Sequence, residues 1–192
     1  MNLSERFEEA LVWASQLHRS QRRKGTPVPY VAHLLGVTSI VLQYGGDEDE
    51  AIAALLHDAV EDQGGEPVLR EIERRFGGSV AAIVAGCTDT MTQPKPPWRE
   101  RKEAYLAHLP HASASVRRVS AADKLHNVRA IIADYRLLGE DLWSRFTGGR
   151  DGTLWYYLAL VEAFRTAGTD PLIEELARTV AEMECLAAQG VS

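Results

Sequence analysis

Histidines and carboxylates recur in this chain of 192 residues at spacings that suit metal-assisted hydrolysis. His33 stands early in one apolar segment. A His57-Asp58 doublet follows the run AIAALL, and Glu61-Asp62 comes one helical turn later. Asp123 lies within SAADKLHNVRAI, with Asn127 a further turn on. On a helix, His57 with Glu61 and Asp58 with Asp62 are both i,i+4 pairs, so the four polar groups make one patch. Carboxylates on a core-facing helix are costly unless positive charge meets them. Arg23 or Lys24 could supply part of that charge, and a divalent cation supplies it more simply. Imidazole nitrogen with carboxylate oxygen suits Mn²⁺, Fe²⁺, Co²⁺ or Zn²⁺. Two His and two Asp leave open positions on an octahedral ion for a water and a substrate oxygen. Taken singly, each residue says little, because a lone His on an apolar helix is more often a hydrogen-bonded core group. HDxxED with a second His upstream and DKLHN downstream is far more specific.

The elements that must position these groups read as helices. Apolar residues recur with a 3.6 period over 3–20, through Phe7, Ala10, Leu11, Ala14 and Leu17. Gly25, Pro27 and Pro29 interrupt the pattern, and a second helix is predicted over 30–44, ending at Gly45-Gly46. Asp47, Glu48 and Asp49 suit the start of a third, 47–63, which Gly64-Gly65 ends. Shorter helices are predicted over 66–76 and 79–88. A proline-rich loop, TQPKPPW, then leads into 99–109 and a long stretch over 114–138. A turn of helix at 141–146 precedes GGRDG, which reads as a break. Helices over 154–166 and 172–189 follow, with Asp170-Pro171 a fitting start for the last. No strand alternation or internal repeat is evident. The fold class expected is all-α, a compact helical bundle, as a single domain over 1–192 whose part from about 139 is less firmly defined.

Composition narrows the partners. With 45% hydrophobic and 25% charged residues the chain is ordinary globular material. A net charge of −6 argues against general nucleic-acid binding. No run of about 18 apolar residues implies a membrane span, and the acidic N-terminal stretch does not look like a secretory leader. One basic run, RSQRRKG, reads either as a solvated helix end or as a phosphate-binding loop. Cys87 and Cys185 sit in apolar contexts and read as buried small hydrophobes in a reducing compartment. His18 and His126 read as structural, and His108 and His111 as solvated. Trp13, Trp143 and Trp155 read as core. Trp98, Arg99, Arg101 and Lys102 follow the proline loop and read as a phosphate-meeting lid or, more commonly for such a run, as an exposed charged helix, and a lid role for the loop itself, 93–98, is left open.

In combination, HRSQRRKGTPVPYVAHLLGV, AALLHDAVEDQG, IERRFGGSVAAIVAGCTD and VSAADKLHNVRAI resemble the HD-domain hydrolases of the RelA/SpoT family, in their small stand-alone alarmone-hydrolase form, the metazoan SpoT homologues among them. The resemblance covers 10–132 and is weaker in the tail from Gly139, where LWYYLALVEAF carries it. It implies an all-helical bundle of the HD-domain superfamily and a cytoplasmic enzyme that releases pyrophosphate from the 3′ position of guanosine 3′,5′-bis(diphosphate)-type alarmones. It implies a divalent metal, usually Mn²⁺, held by His33, His57, Asp58 and Asp123. It makes Glu61 and Asp62 the catalytic acidic pair, which orients water or shuttles a proton. Arg23, Lys24, Asn127 and Tyr156 become contacts to the nucleotide. The expected partner is a small nucleotide, with no nucleic acid or membrane, and homo-oligomerisation is left open. The chain has no room for a nucleotidyltransferase domain, so hydrolysis without synthesis is expected.

Two positions depart from the family pattern. Leu34 replaces the usual Pro after His33, which changes a helix start and not a ligand. Ala130 stands where many relatives carry Thr near the base, which opens base preference to adenine alarmones. The competing readings are an HD phosphohydrolase acting on other nucleotides (adenine alarmones, NADPH, nucleoside monophosphates or cyclic nucleotides) and a non-catalytic nucleotide-binding regulatory module. The second expects damage at Glu61, Asp62 or the ligand set, and all are intact.

Overall fold

A computed structural model of the chain describes residues 2–90 and 94–190; Thr92 and Gln93, at the start of the expected proline-rich lid, lie outside them. The secondary structure is all-α: α1 (Glu5–Leu17), α2 (Val31–Gln43), α3 (Glu48–Leu56), α4 (Ala59–Gln63), α5 (Glu66–Phe76), α6 (Gly78–Cys87), α7 (Trp98–His108), α8 (Ala114–Leu138), α9 (Gly149–Thr166) and α10 (Pro171–Gln189). Short 3₁₀ turns occupy Leu109–His111 and Gly139–Arg145. Among the described residues the only extended pairing is an isolated antiparallel bridge between Arg22 and Pro29. The chain folds into two compact units, one of Met1–Lys95 with Ala112–Asp123, the other of Pro96–His111 with Lys124–Ser192.

The first unit packs α1, α2 and α6 against α3, whose residues 50–56 are all buried, and α5 against α6. α3 begins with a full capping box: the Glu50 N–H donates to Asp47 Oδ1 and the Asp47 N–H donates to Glu50 Oε2, both at 2.9 Å. Glu50 is nevertheless 3% exposed, and the Arg118 guanidinium at 2.5–2.7 Å meets its charge. α1 starts at the Ser4 cap and buries Ala10 and Ala14, small enough for α1 to lie close to α3. Gly86 has a similar purpose: a Cβ there would come within 2.6 Å of Val116, so glycine is what lets α6 approach the first turns of α8.

The helix predicted over 47–63 is broken at the His57-Asp58 doublet, which separates α3 from α4. Both residues stay in the α region, but ψ at Asp58 opens to −3°. The Ala54 carbonyl, which an unbroken helix would offer to the Asp58 N–H, receives the His57 ring Nδ1–H at 2.8 Å. The ring thus takes up the acceptor that a continuing helix would use.

In the second unit, α9 and α10 pair along a core that includes Leu160, Phe164, Leu172 and Leu176, all 0–1% exposed. Asp170 caps α10 by accepting from the Ile173 N–H at 2.9 Å, with Pro171 at its first position. Two ion pairs, Arg129–Glu175 and Arg136–Glu182, tie α10 to the later turns of α8. GGRDG is not a break: α9 begins at Gly149. Gly148 and Gly152 are small because the Trp98 ring lies against them, and a Cβ on Gly148 would come within 2.7 Å of it. Cys185 is exposed, contrary to expectation, because the buried stripe of α10 runs through Val180, Met183 and Ala187 and leaves it on the outer face. Cys87 is half-buried, and neither cysteine forms a disulfide. No helix among the described residues is long and apolar enough to cross a membrane.

Candidate active site

His33 comes from the first turns of α2, His57 and Asp58 from the break before α4, and Asp123 from the middle of α8. All four belong to the first unit. Their side chains converge. His33 Nε2 lies 3.3 Å from His57 Nε2. Asp58 Oδ2 is 3.0 Å from His57 Nε2 and 3.6 Å from His33 Nε2. Asp123 Oδ1 is 3.2 Å from His33 Nε2 and 3.7 Å from His57 Nε2. Donor atoms of His33, His57 and Asp58 all fall within 4.8 Å of one another. Both imidazoles and Asp123 are buried, at 1%, 3% and 7% exposure.

The chemistry of this donor set fits a divalent cation. A carbonyl oxygen can only accept, so the hydrogen bond to Ala54 puts the His57 proton on Nδ1. The lone pair on Nε2 then faces the cluster, the arrangement seen when a ligating His is oriented by a backbone carbonyl. The electrostatics agree. Burial alone would lower the His57 pKa, but the Asp58 charge and hydrogen bonds to Asp123 and Asp58 hold it well above the ordinary imidazole value. Burial alone would raise the Asp58 pKa, but the His57 charge and hydrogen bonds from His33 and His57 hold it well below the usual carboxylate range. The pocket attracts positive charge, and without a metal a proton takes that place.

Around the cluster, Tyr30 donates its hydroxyl to Asp58 Oδ2, and its ring stands edge-on to His33. Burial, then the Asp58 charge, pushes the Tyr30 pKa far above that of a free phenol, so the hydroxyl remains a donor. Glu61 forms an ion pair with Lys95 at 2.8 Å. Asp62 is solvent-accessible, and Gln21 Nε2 donates to its Oδ2 at 2.8 Å. Partial desolvation first, then the Asp58 charge, raises the Asp62 pKa above the ordinary carboxylate value.

Residues 10–154 of the chain match the HD domain. The chain belongs to the HD-domain family. This HD-domain chain is 44% identical over 124 residues, 63% of its length, to the guanosine-3′,5′-bis(diphosphate) 3′-pyrophosphohydrolase MESH1 of Xenopus tropicalis. It is 41% identical over 124 residues to the protein of the same name from Homo sapiens. The match spans 66% of the length of each of these relatives. Its fold is similar to that of a solved metazoan orthologue of SpoT, described as hydrolysing ppGpp and acting in starvation responses, with a TM-score of 0.79 at 29% identity, covering 95% of this chain and 97% of the other. A Listeria monocytogenes EGD-e protein superposes with a TM-score of 0.69 at 30% identity, covering 78% of this chain and 97% of that one. HD hydrolases use divalent metals, which accords with the His-His-Asp cluster.

The remaining predicted residues of the HD domain fall in two places. Arg23 and Lys24 occupy the tip of a tight hairpin between α1 and α2, where the Arg23 N–H donates to the Val28 carbonyl at 2.9 Å and Gly25 turns the chain at φ +71°. Asn127 and Tyr156 belong to the second unit. Tyr156 is buried there at 6% exposure, with Lys102 Nζ 4.9 Å above its ring and Trp98 6.3 Å away edge-on. Arg99 stacks on Trp155 at 3.2 Å, so the residues after the proline loop form a cation–aromatic cluster on α7 and α9. His108 and His111 are exposed, as expected.

Sequence reasoning passed over Tyr30, Gln21 and Lys95. The signals that could have found the first two were local. Tyr30 stands one turn before His33, and Gln21 and Tyr30 flank the glycine-proline turn symmetrically. Nothing local paired Lys95 with Glu61, because the two are far apart in sequence.

Proposed function

We propose that this protein is a metal-dependent 3′-pyrophosphohydrolase of guanosine 3′,5′-bis(diphosphate)-type nucleotides, with residues 1–192 acting as one functional domain. The observation that carries the reading is the convergence of His33, His57, Asp58 and Asp123, with the His57 tautomer set so that Nε2 faces the cluster. The substrate class follows from the relatives that carry that activity in their names. Those four residues are the proposed metal ligands, and Mn²⁺ is the proposed ion. A divalent cation held there supplies Lewis acidity toward a phosphoryl oxygen and makes water more acidic near neutral pH.

The chain's own groups do the rest. The reaction forms a bond from a water oxygen to phosphorus and breaks the bond from phosphorus to the 3′ oxygen, which takes up a proton as pyrophosphate leaves. Glu61 and Asp62 are the proposed catalytic acids: one accepts the water proton while the other, its pKa raised, can return one to the departing oxygen. Lys95 beside Glu61 sets a compensating positive charge against that carboxylate. Lys24 is exposed at the hairpin tip and offsets phosphate charge. The Arg23 fork suits phosphate or base contact. Asn127 and Tyr156 are proposed as further nucleotide contacts. A cytoplasmic setting completes the proposal, since a small-molecule nucleotide and two cysteines without a disulfide suit a reducing compartment.

The test is to incubate the purified protein and Mn²⁺ with ppGpp, ppApp, NADPH, cyclic nucleotides and nucleoside monophosphates and to identify the products. Pyrophosphate from ppGpp is expected, and the rate on ppApp reads the effect of Ala130. Inorganic phosphate from monophosphates alone would overturn the reading, and so would binding of ppGpp without turnover.

A further inference from the structure

The segment that carries Arg23 and Lys24 is built as a stiff clasp. The Tyr30 N–H donates to the Gln21 carbonyl at 3.0 Å, the Arg23 N–H to the Val28 carbonyl at 2.9 Å, and the Arg22–Pro29 bridge lies between these two bonds. Thr26 closes the tip: its N–H and hydroxyl both donate to the Arg23 carbonyl, at 3.0 and 3.2 Å, and its hydroxyl oxygen accepts from the Val28 N–H at 3.2 Å. The two stem residues, paired through their backbones, each send a side chain to a different acid. Gln21 Nε2 donates to Asp62 at 2.8 Å, and the Tyr30 hydroxyl donates to Asp58.

Both side chains are themselves held. Gln21 Oε1 lies 2.7 Å from His18 Nδ1 and accepts from Gln63 Nε2 at 2.5 Å. Two donors converging on that oxygen fix the amide so that its NH₂ faces Asp62. His18 is 2% exposed and stacks on the Tyr30 ring at 5.2 Å with planes 19° apart, which joins the two arms. An amide fixed in this way directs one oxygen of Asp62, and a phenol fixed in this way directs one oxygen of Asp58.

We propose that Gln21 and Tyr30 are positioning residues: the hairpin stem holds Asp58 for the metal and Asp62 for proton transfer, and so registers the phosphate-facing tip to both. This rests on the metal-site reading given above. Partners that orient ligating or catalytic carboxylates typically change metal affinity or activity by about 10–100-fold when lost. The two arms therefore have separable effects. Tyr30→Phe keeps the ring stack on His18 and removes only the donor to Asp58, so Mn²⁺ binding weakens by about tenfold or more. Gln21→Met keeps the length of the side chain and removes the donor to Asp62, so kcat falls by about tenfold or more while KM and the Mn²⁺ Kd stay within about threefold.

The experiment is calorimetric titration of Mn²⁺ alone into the full chain and each variant, followed by steady-state kinetics on ppGpp and a melting curve without metal. Asp123→Ala is the control. Wild type binding Mn²⁺ and Asp123→Ala not binding it establishes the site. No Mn²⁺ binding by the wild type, or equal binding by Asp123→Ala, overturns the site reading and the proposal with it. With the site established, an unmoved Mn²⁺ Kd in Tyr30→Phe or an unmoved kcat in Gln21→Met overturns the proposal alone. The same is true if both variants lose affinity and turnover together with a lowered melting temperature, which is what a purely structural role would give. If Gln21→Met does not fold, Tyr30→Phe decides the matter through the Mn²⁺ Kd.

Discussion

Mn²⁺ is expected to raise the melting temperature of the cation-free protein, by an amount and with a pH dependence that follow from the cluster. A ligand that binds only the folded state at one hundred times its Kd contributes about 2.7 kcal/mol. For a chain of this length each kcal/mol moves the midpoint by about 2–4 °C, so the rise is about 5–11 °C. The ion needs the His57 Nε2 lone pair, and the surrounding carboxylates hold a proton on that ring well above the ordinary imidazole pKa. In the cation-free protein the stabilisation from that proton is complete below the unfolded value of about 6.5 and is lost as pH rises through the folded value. Metal binding runs the other way, since each pH unit below the folded His57 pKa lowers apparent affinity about tenfold, or about 1.4 kcal/mol. The difference between melting curves with and without Mn²⁺ must therefore widen as pH rises and level off once His57 is neutral. Scanning fluorimetry across pH at fixed metal, with Asp58→Ala and Asp123→Ala beside the wild type, reads this directly. A shift that is independent of pH, or that survives in Asp123→Ala, would refute the assignment of the ion to these side chains.

Three further outcomes are expected. Glu61→Gln keeps the Mn²⁺ Kd within about threefold but lowers kcat by about 10²–10⁴, as measured by pyrophosphate release; a normal kcat removes Glu61 from the mechanism. Asp62, whose pKa is raised by partial desolvation and by Asp58, titrates above the unfolded value of about 3.9 in the cation-free protein and moves down when metal offsets the Asp58 charge. Because its protonated form is favoured on folding, that contribution is present below the unfolded value and lost as pH rises through the folded one, so Asp62→Asn stabilises the cation-free protein only at the higher pH; carboxyl NMR and melting curves check both statements. Glu50→Ala removes one arm of the α3 capping box and leaves Arg118 without its buried partner; since the Arg118 side chain is 30% exposed and can regain water, the cost sits near the low end for a broken buried pair, about 3 kcal/mol. Denaturant unfolding measures it, and a loss below 1 kcal/mol would show that the pair contributes little.

Much of the fold was legible because the helices are amphipathic and well punctuated. The ranges predicted for 66–76 and 114–138 coincide with α5 and α8, and the Asp170-Pro171 signal marks the true start of α10. Misreadings arose where a local signal had a tertiary cause. The glycines of GGRDG looked like a helix stop, yet Gly148 and Gly152 are small because the Trp98 ring occupies the space a side chain would need. Glu50 follows three acids at a helix start and drew no reading of its own, because nothing in its neighbourhood announced that Arg118 would meet its charge. Cys185 sits in an apolar context, but burial on α10 is set by angle around the helix and not by the company of nearby residues.

The same distinction governs the acidic pair. Helical spacing links His57 to Glu61 and Asp58 to Asp62 and makes one continuous patch of four. In the folded chain the doublet breaks the helix, and His57 and Asp58 turn toward each other, with Nε2 and Oδ2 3.0 Å apart. Neighbouring residues on an ideal helix point about 100° apart, so the break favours two adjacent side chains meeting at one point. The residues after it are then partnered separately, Glu61 by Lys95 and Asp62 by Gln21. A cationic partner sets positive charge against the first acid, whereas for the second, partial desolvation and then the Asp58 charge outweigh the amide hydrogen bond and raise the pKa. The raised proton affinity of Asp62 suits it to the acid's part in a reaction that needs both an acid and a base.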